Sequence, residues 1–178
     1  MLEALARFEA EGTRGSAVDL GCGTGRDTVE LLRRGWRVLA LDGQVEAIRR
    51  LEARSDLRAE WRSRLETLVS PFEEARWPDT DLVSSSFALP FCRPDAFPAL
   101  WSRIVASLRP GGRFCGQLFG DRDGWSDEDG MTFLTRRSLD ELLAGLDVER
   151  LDEVEEDGHT ALGEDKHWHL YHLVVRKP

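Results

Sequence analysis

Apolar positions along this chain switch repeatedly between helical spacing and short, near-continuous blocks. Leu2, Leu5, Ala6 and Phe8 predict a helix over Leu2 to Glu11, broken by Gly12 to Ser16. Ala17 to Leu20 read as a short first strand. Arg26 to Arg34 read as a helix with Val29, Leu31 and Leu32 on its apolar face, stopped by Gly35. Trp36 to Leu41 are apolar almost throughout, as suits a strand buried on both faces. Val45 to Arg54 predict a further helix, Leu65 to Val69 a third strand and Asp81 to Phe87 a fourth. Asp95 to Leu108 predict a helix with Leu100, Ile104 and Leu108 on one face. The turn Arg109-Pro110-Gly111-Gly112 then leads into a fifth strand, Arg113 to Phe119. Ser138 to Gly145 predict a helix with Ser138 as N-cap and Glu141 completing a capping box. Val148 to Glu155 and His167 to Arg176 have no helix between them. They predict an antiparallel hairpin with a long loop around Asp157-Gly158.

Strands alternating with helices imply an α/β sandwich with a mostly parallel sheet. The 178 residues fit one domain, residues 1–178. A net charge of −9 argues against bare nucleic acid as the main partner. The run Arg49, Arg50, Arg54, Arg58, Arg62, Arg64 reads first as a solvated face and second as a basic patch for RNA. Cys22, Cys92 and Cys115 are odd in number and widely spaced with no CxxC, which argues against a disulfide framework and a zinc site. The chain shows no signal-peptide pattern and no 18-residue apolar run, so no membrane span and a cytoplasmic setting are expected.

The chemistry concentrates after the first strand. In Asp19-Leu20-Gly21-Cys22-Gly23-Thr24-Gly25 the glycines clear the backbone for a ligand, and the next helix offers free amides. Such a loop lies outside the carboxyl ends of the strands, where open α/β sheets bind ligands. A dinucleotide fingerprint would need a third glycine at position 26, which is Arg26. That departure counts against NAD or FAD and against a nucleotide-dependent oxidoreductase. Asp42 ends the second strand, where a carboxylate can accept both hydroxyls of a ribose. Asp19 lies inside an apolar strand and needs a partner there, either a ligand's ammonium or the loop amides.

Three segments in order, Val18 to Gly25, Leu39 to Asp42 and Leu108 to Phe114, resemble the motifs of class I S-adenosylmethionine (SAM)-dependent methyltransferases. The chain looks most similar to small bacterial members of the tellurite-resistance type, through Leu118 to Asp123 and Lys166 to His169. The resemblance implies a Rossmann-like, seven-stranded, mostly parallel sheet with an antiparallel last strand and helices on both faces. It implies that Asp19, Gly21, Cys22, Gly23 and Gly25 surround the methionine half of SAM and that Asp42 holds the ribose. Gly43, Gln44, Phe72 and Glu73 would flank the adenine, and Ser86 and Phe87 would lie over the transferred methyl. Many relatives carry an aspartate within the Ser70–Phe72 stretch, and this chain does not.

An antiparallel strand beside the fifth would bring His167, Trp168 and His169 toward Asp121, Arg122, Asp123 and Trp125. These residues are the expected acceptor pocket, with His167 or His169 as general base. No third ligand accompanies the two histidines, so no metal centre is expected. The expected function is methyl transfer from SAM to a small-molecule acceptor by in-line displacement. A non-catalytic SAM-binding sensor or interaction protein is the alternative. Only 17 residues precede Val18, so the acceptor site is expected to be open, covered by the segment after Phe119, or completed by a second copy in a homodimer.

Overall fold

The computed structural model of the chain describes every residue except Ala161. The apolar blocks become β1 (Ser16–Leu20), β2 (Arg37–Asp42), β3 (Leu65–Val69), β4 (Thr80–Ser85) and β5 (Leu108–Gly120). The amphipathic segments become α1 (Leu2–Ala10), α2 (Arg26–Arg33), α3 (Val45–Glu52), α4 (Phe97–Ser107) and α5 (Arg136–Leu142). The chain ends in β7 (Asp147–His159) and β8 (Asp165–Arg176). These strands form one sheet in the order β3-β2-β1-β4-β5-β8-β7, with β6 (Phe133–Leu134) added to β5 off that path. β1 to β5 pair in parallel, and β8 runs antiparallel between β5 and β7. The strand order reverses at β1, so the loop after β1 opens into a crevice beside β4.

Alternation along the strands divides the core. Phe114, Leu118, Tyr171, Leu173 and Val175 pack with Trp101 and Ile104 of α4 and Leu139 of α5. Cys115 and Val174 point the other way and join Leu5 and Phe8 of α1 and Leu31 and Leu32 of α2. Arg113 enters this second face. It is only 2% exposed, bonds Glu11 and Glu149, and lies 4.5 Å above the Phe8 ring. One buried guanidinium thus ties the end of α1 to β5 and β7. No helix among the described residues is long and apolar enough to cross a membrane.

Several boundaries differ from those expected, and β5 takes in Leu108 to Gly112, which were expected as a helix end and a turn. α5 begins earlier: Thr135 is its N-cap, with its hydroxyl accepting from the Ser138 amide at 3.1 Å. Ser138 and Thr135 are both good caps, and the helix starts at the first of them. The hairpin is also longer than expected. Asp157 pairs with His167 and Gly158 with Lys166, so both belong to the ladder and not to a loop. Cross-strand attraction accounts for this extension: the acidic row of β7 faces the histidines of β8, with Asp157 2.7 Å from His167 and Glu153 3.0 Å from His169. Most of the Arg-rich run is engaged within the fold. Arg50 pairs with Glu46 and Arg54 with Asp56, while Arg64 donates to the carbonyls of Leu32 and Trp36.

Candidate active site

The glycine loop folds as a sharp turn from β1 into α2. The amides of Gly21 and Cys22 both donate to the Leu41 carbonyl, which anchors the loop to β2. Gly21, Gly23 and Gly25 all have positive φ, yet they do different things. A Cβ on Gly21 would sit 2.2 Å from Ala88, and one on Gly25 would sit 2.2 Å from Leu51. A Cβ on Gly23 would meet nothing within 4 Å. Gly23 is therefore where the loop backbone stands bare, and the other two glycines allow close packing. Cys22 turns its thiol away, into the cluster of Ala40, Ile48 and Leu51. Burial pushes that thiol well above its usual range, so it is an inert packing group.

Asp42 holds the loop from the side. Its carboxylate accepts from the Gly23 amide and from the Gln44 amide, each at 2.9 Å. Asp42, Gly43, Gln44, Phe72 and Glu73 line one cleft of about 350 Å³ together with Gly21, Pro71, Ser86, Phe87, Ala88 and Phe91. The structure thus gathers most of the expected cofactor residues into a single cavity. Phe91 was not expected there, and only its place three residues beyond Ala88 in a short 3-10 turn brings it in.

Asp19 lies behind this cleft and does not line it. It is 1% exposed and accepts from the Thr28 hydroxyl at 2.6 Å. Its neighbour Asp27, in the first turn of α2, accepts from Ser86 at 2.5 Å and from Arg26 at 2.8 Å. Burial pushes the Asp19 carboxyl up to about 7, opposed by the Thr28 hydrogen bond and reinforced by Asp27. Its ordinary value is 3.8, so between the two values the folded state holds a proton that the unfolded chain releases. Stability therefore falls as pH rises through that window. Asp19→Asn is expected to flatten this slope and to raise the unfolding free energy at pH 8 by about 2 kcal/mol. Parallel urea titrations at pH 5 and pH 8 check this, and an unchanged slope would refute the assignment.

Strand alternation sorts the C-terminal residues onto opposite faces. Trp168 and His172 face Phe87, with ring centroids 6.3 and 6.5 Å away. His167 and His169 face the other side. His169 is fully buried; its Nδ1 accepts from the Arg122 amide and its Nε2 meets Glu153. His167 lies among Asp157 and Glu155, which hold its imidazole above the usual histidine range. Arg122 pairs with Glu155 and Glu153 on that same side, and Asp121 lies 3.7 Å from His169. The expected base and two of the expected acceptor residues are thus displaced from the cleft by a one-residue step in strand phase.

Asp123 is also engaged elsewhere. It is buried and sits 2.7 Å from Lys166 Nζ, while its other oxygen accepts from the His169 amide. That ammonium lies 3.5 Å over Trp125, 3.8 Å over Trp168 and 4.4 Å over Phe119. Lys166 fills a box of three rings and so fixes Trp125 and Trp168, the two expected acceptor residues that do turn toward Phe87 and Phe91. His172 and Gln117, which meet beside Phe87, and Asp27, which accepts from Ser86, were not among the expected residues. Counting by twos from Trp168 reaches His172, which is the one signal the sequence held for it.

A methyltransferase-domain family model matches residues 17–112, more than half of the chain. No curated protein sequence matches. Among solved structures, TehB from Haemophilus influenzae superposes with a TM-score of 0.79 at 16% identity, over 100% of this chain and 62% of that one. The chain thus spans less than two thirds of TehB. Burkholderia thailandensis 1,6-didemethyltoxoflavin-N1-methyltransferase, solved with 1,6-didemethyltoxoflavin and S-adenosylhomocysteine, superposes at 0.70 with 26% identity, over 98% of this chain and 76% of that one. The N-methyltransferase NodS from Bradyrhizobium japonicum WM9, in complex with S-adenosylhomocysteine, superposes at 0.73 with 18% identity, over 99% and 85%. The bare loop at Gly23, the acid ending β2 and the sheet order agree with that match, and the chain belongs to the methyltransferase-domain family.

Proposed function

We propose that this enzyme transfers the methyl group of SAM to a small-molecule acceptor. The observation that carries this reading is the position of Ser86, which lines both the 350 Å³ cleft and a neighbouring groove of about 750 Å³. A donor in the first cavity and an acceptor in the second would meet there. Gly23 leaves room for a ligand against the loop backbone, and Asp42 keeps lone pairs beyond its two amide contacts for ribose hydroxyls. Phe72 and Pro71, with Gln44 and Glu73, would flank the adenine. Gly21 lines the same cleft, while Cys22, Gly25 and Asp19 brace the loop from behind.

The cofactor, when bound, supplies an electrophilic methyl on a sulfonium. The protein supplies position and a route for a proton. Ser86 donates to Asp27, so its oxygen remains free to accept from an acceptor's O–H or N–H. Asp27 is then the base at the end of a short relay. The net charge of −9 disfavours a nucleic-acid acceptor. The Burkholderia enzyme, with its bound 1,6-didemethyltoxoflavin, supports a small acceptor over a macromolecule.

Calorimetric titration with SAM, S-adenosylhomocysteine and NAD, followed by labelled-methyl transfer to a metabolite panel, tests this reading. The first two ligands are expected to bind and NAD to give no heat. Asp27→Asn is expected to lower turnover at least tenfold with little change in S-adenosylhomocysteine affinity. Binding without any turnover would favour the sensor reading.

A further inference from the structure

We propose that the acceptor is an uncharged, flat aromatic or heteroaromatic compound, held against the rings of Phe87 and Trp168 and hydrogen-bonded by His172. This rests on the methyl-transfer reading above and narrows its acceptor.

Phe87 is the first observation. It is a non-glycine residue at φ +54°, a strained backbone for a side chain of this size, and its ring is 40% exposed. Something holds it there. Its amide donates to Gln117 Oε1 at 3.2 Å, and Trp168 and His172 stand edge-on to its ring. The strained loop thus presents an aromatic face beside Ser86, at the junction of the two cavities. Such strain persists only where surrounding contacts over-determine it, and it clusters where ligands are gripped.

The array around Phe87 is the second. Trp168 lies 5.9 Å from Trp125, and Trp125 lies 6.4 Å from Phe91, whose ring is 55% exposed at the cleft. Trp125 and Trp168 are clamped from behind by the Lys166 ammonium and Asp123. Rigid, tilted rings of this kind recognise a flat partner through stacking and edge contacts.

His172 is the third. The Phe87 amide fixes the orientation of the Gln117 side chain, so Gln117 Nε2 faces His172 Nδ1 at 3.4 Å and donates to it. Nδ1 is then an acceptor, and the ring proton sits on Nε2. Burial and the nearby Arg150 pull the imidazole below its usual range and keep it neutral, while Asp152 opposes this. His172 therefore offers an N–H to a ring nitrogen or a carbonyl.

Charge narrows the class further. The arginines of the neighbouring groove are already paired, Arg26 with Asp27, Arg33 and Arg34 with Glu30, and Arg54 with Asp56. A phosphate, carboxylate or ammonium on the acceptor would have to compete with these pairs, whereas an uncharged ring would not.

The test first confirms S-adenosylhomocysteine binding to the full chain, because its absence would sink the methyl-transfer reading itself. The complex is then titrated with 8-hydroxyquinoline and 3-hydroxyflavone, and with cysteamine, ethanolamine and glucose 6-phosphate. Each compound is also offered at 1 mM for labelled-methyl transfer. The two aromatic compounds are expected to bind and at least one to be methylated. Trp168→Leu is expected to raise KM for that compound at least tenfold, and His172→Phe about fivefold, with S-adenosylhomocysteine affinity unchanged in both. His172→Phe keeps the ring, so it remains informative if Trp168→Leu fails to fold. Methylation of the aliphatic compounds alone, no turnover of either aromatic compound, or an unchanged KM in His172→Phe would overturn the proposal.

Discussion

Gly23→Ala is expected to fold and yet to bind S-adenosylhomocysteine at least ~100-fold more weakly, a loss of about 2.7 kcal/mol. The three loop glycines share a positive φ, so an alanine at any of them carries a backbone cost of about 1–2 kcal/mol. Their surroundings differ. At Gly23 the new methyl projects into open space, where nothing lies within 4 Å. It touches no part of the fold and occupies the room that a ligand needs. At Gly21 and Gly25 the methyl would collide with Ala88 and Leu51, and overpacking of that kind adds about 1–3 kcal/mol of instability. Gly23→Ala should therefore lose binding with a modest shift in the urea midpoint, while the other two lose stability first. Calorimetry beside urea denaturation separates these outcomes. An affinity within threefold of the parent in Gly23→Ala would show that the loop backbone is not where the cofactor lies.

The second large effect is structural. Arg113→Leu is expected to destabilise the chain by about 3–5 kcal/mol, because it strands buried charge without its partner. Arg113 bonds Glu149 at 2.7 Å, and Glu149 is only 16% exposed at its side chain. It also bonds Glu11, whose carboxyl it holds below the usual range. That depressed carboxyl contributes stability above its ordinary value near 4.5, which is lost as pH falls through the lowered one. The variant should therefore lose part of the parent's sensitivity to acid. Breaking a buried pair and replacing it have opposite outcomes. Arg113→Leu combined with Glu149→Leu is expected to recover most of the loss in urea titrations. If the single variant melts within 1 kcal/mol of the parent, the guanidinium is not what fastens α1 to the sheet.

Sequence pattern reached the fold because burial acts on whole elements. The near-continuous apolar run at Trp36 to Leu41 could only be a doubly covered strand, and β2 lies at Arg37–Asp42 with neighbours on both sides. The cleft at the glycine loop was legible for the same reason: Gly23 and Asp42 belong to strand ends whose place in the sheet follows from their order. The acceptor side was harder to read. Its residues come from one hairpin strand, where a shift of a single position exchanges faces. His167 and His169 flank Trp168 in sequence and oppose it in space, while His172, four positions on, shares its face. Hydropathy gives no phase there, since Lys166, Trp168 and His172 are as polar a series as His167 and His169. Asp123 was misread for another reason. Its partner Lys166 lies 43 residues away, and nothing local marks the pair.

The order of the sheet has a consequence for how such an enzyme acquires new substrates. The cleft at the glycine loop is built entirely before β5. Gln117, Trp125, Trp168 and His172 all come after residue 112. The two sets of residues are therefore separable along the chain. Chimeras joined at Pro110-Gly111-Gly112, near the start of β5, should exchange acceptor preference between relatives and leave cofactor affinity behind. Phe87 is the point where the graft must be matched, since it is encoded in the first half and held in place by the second.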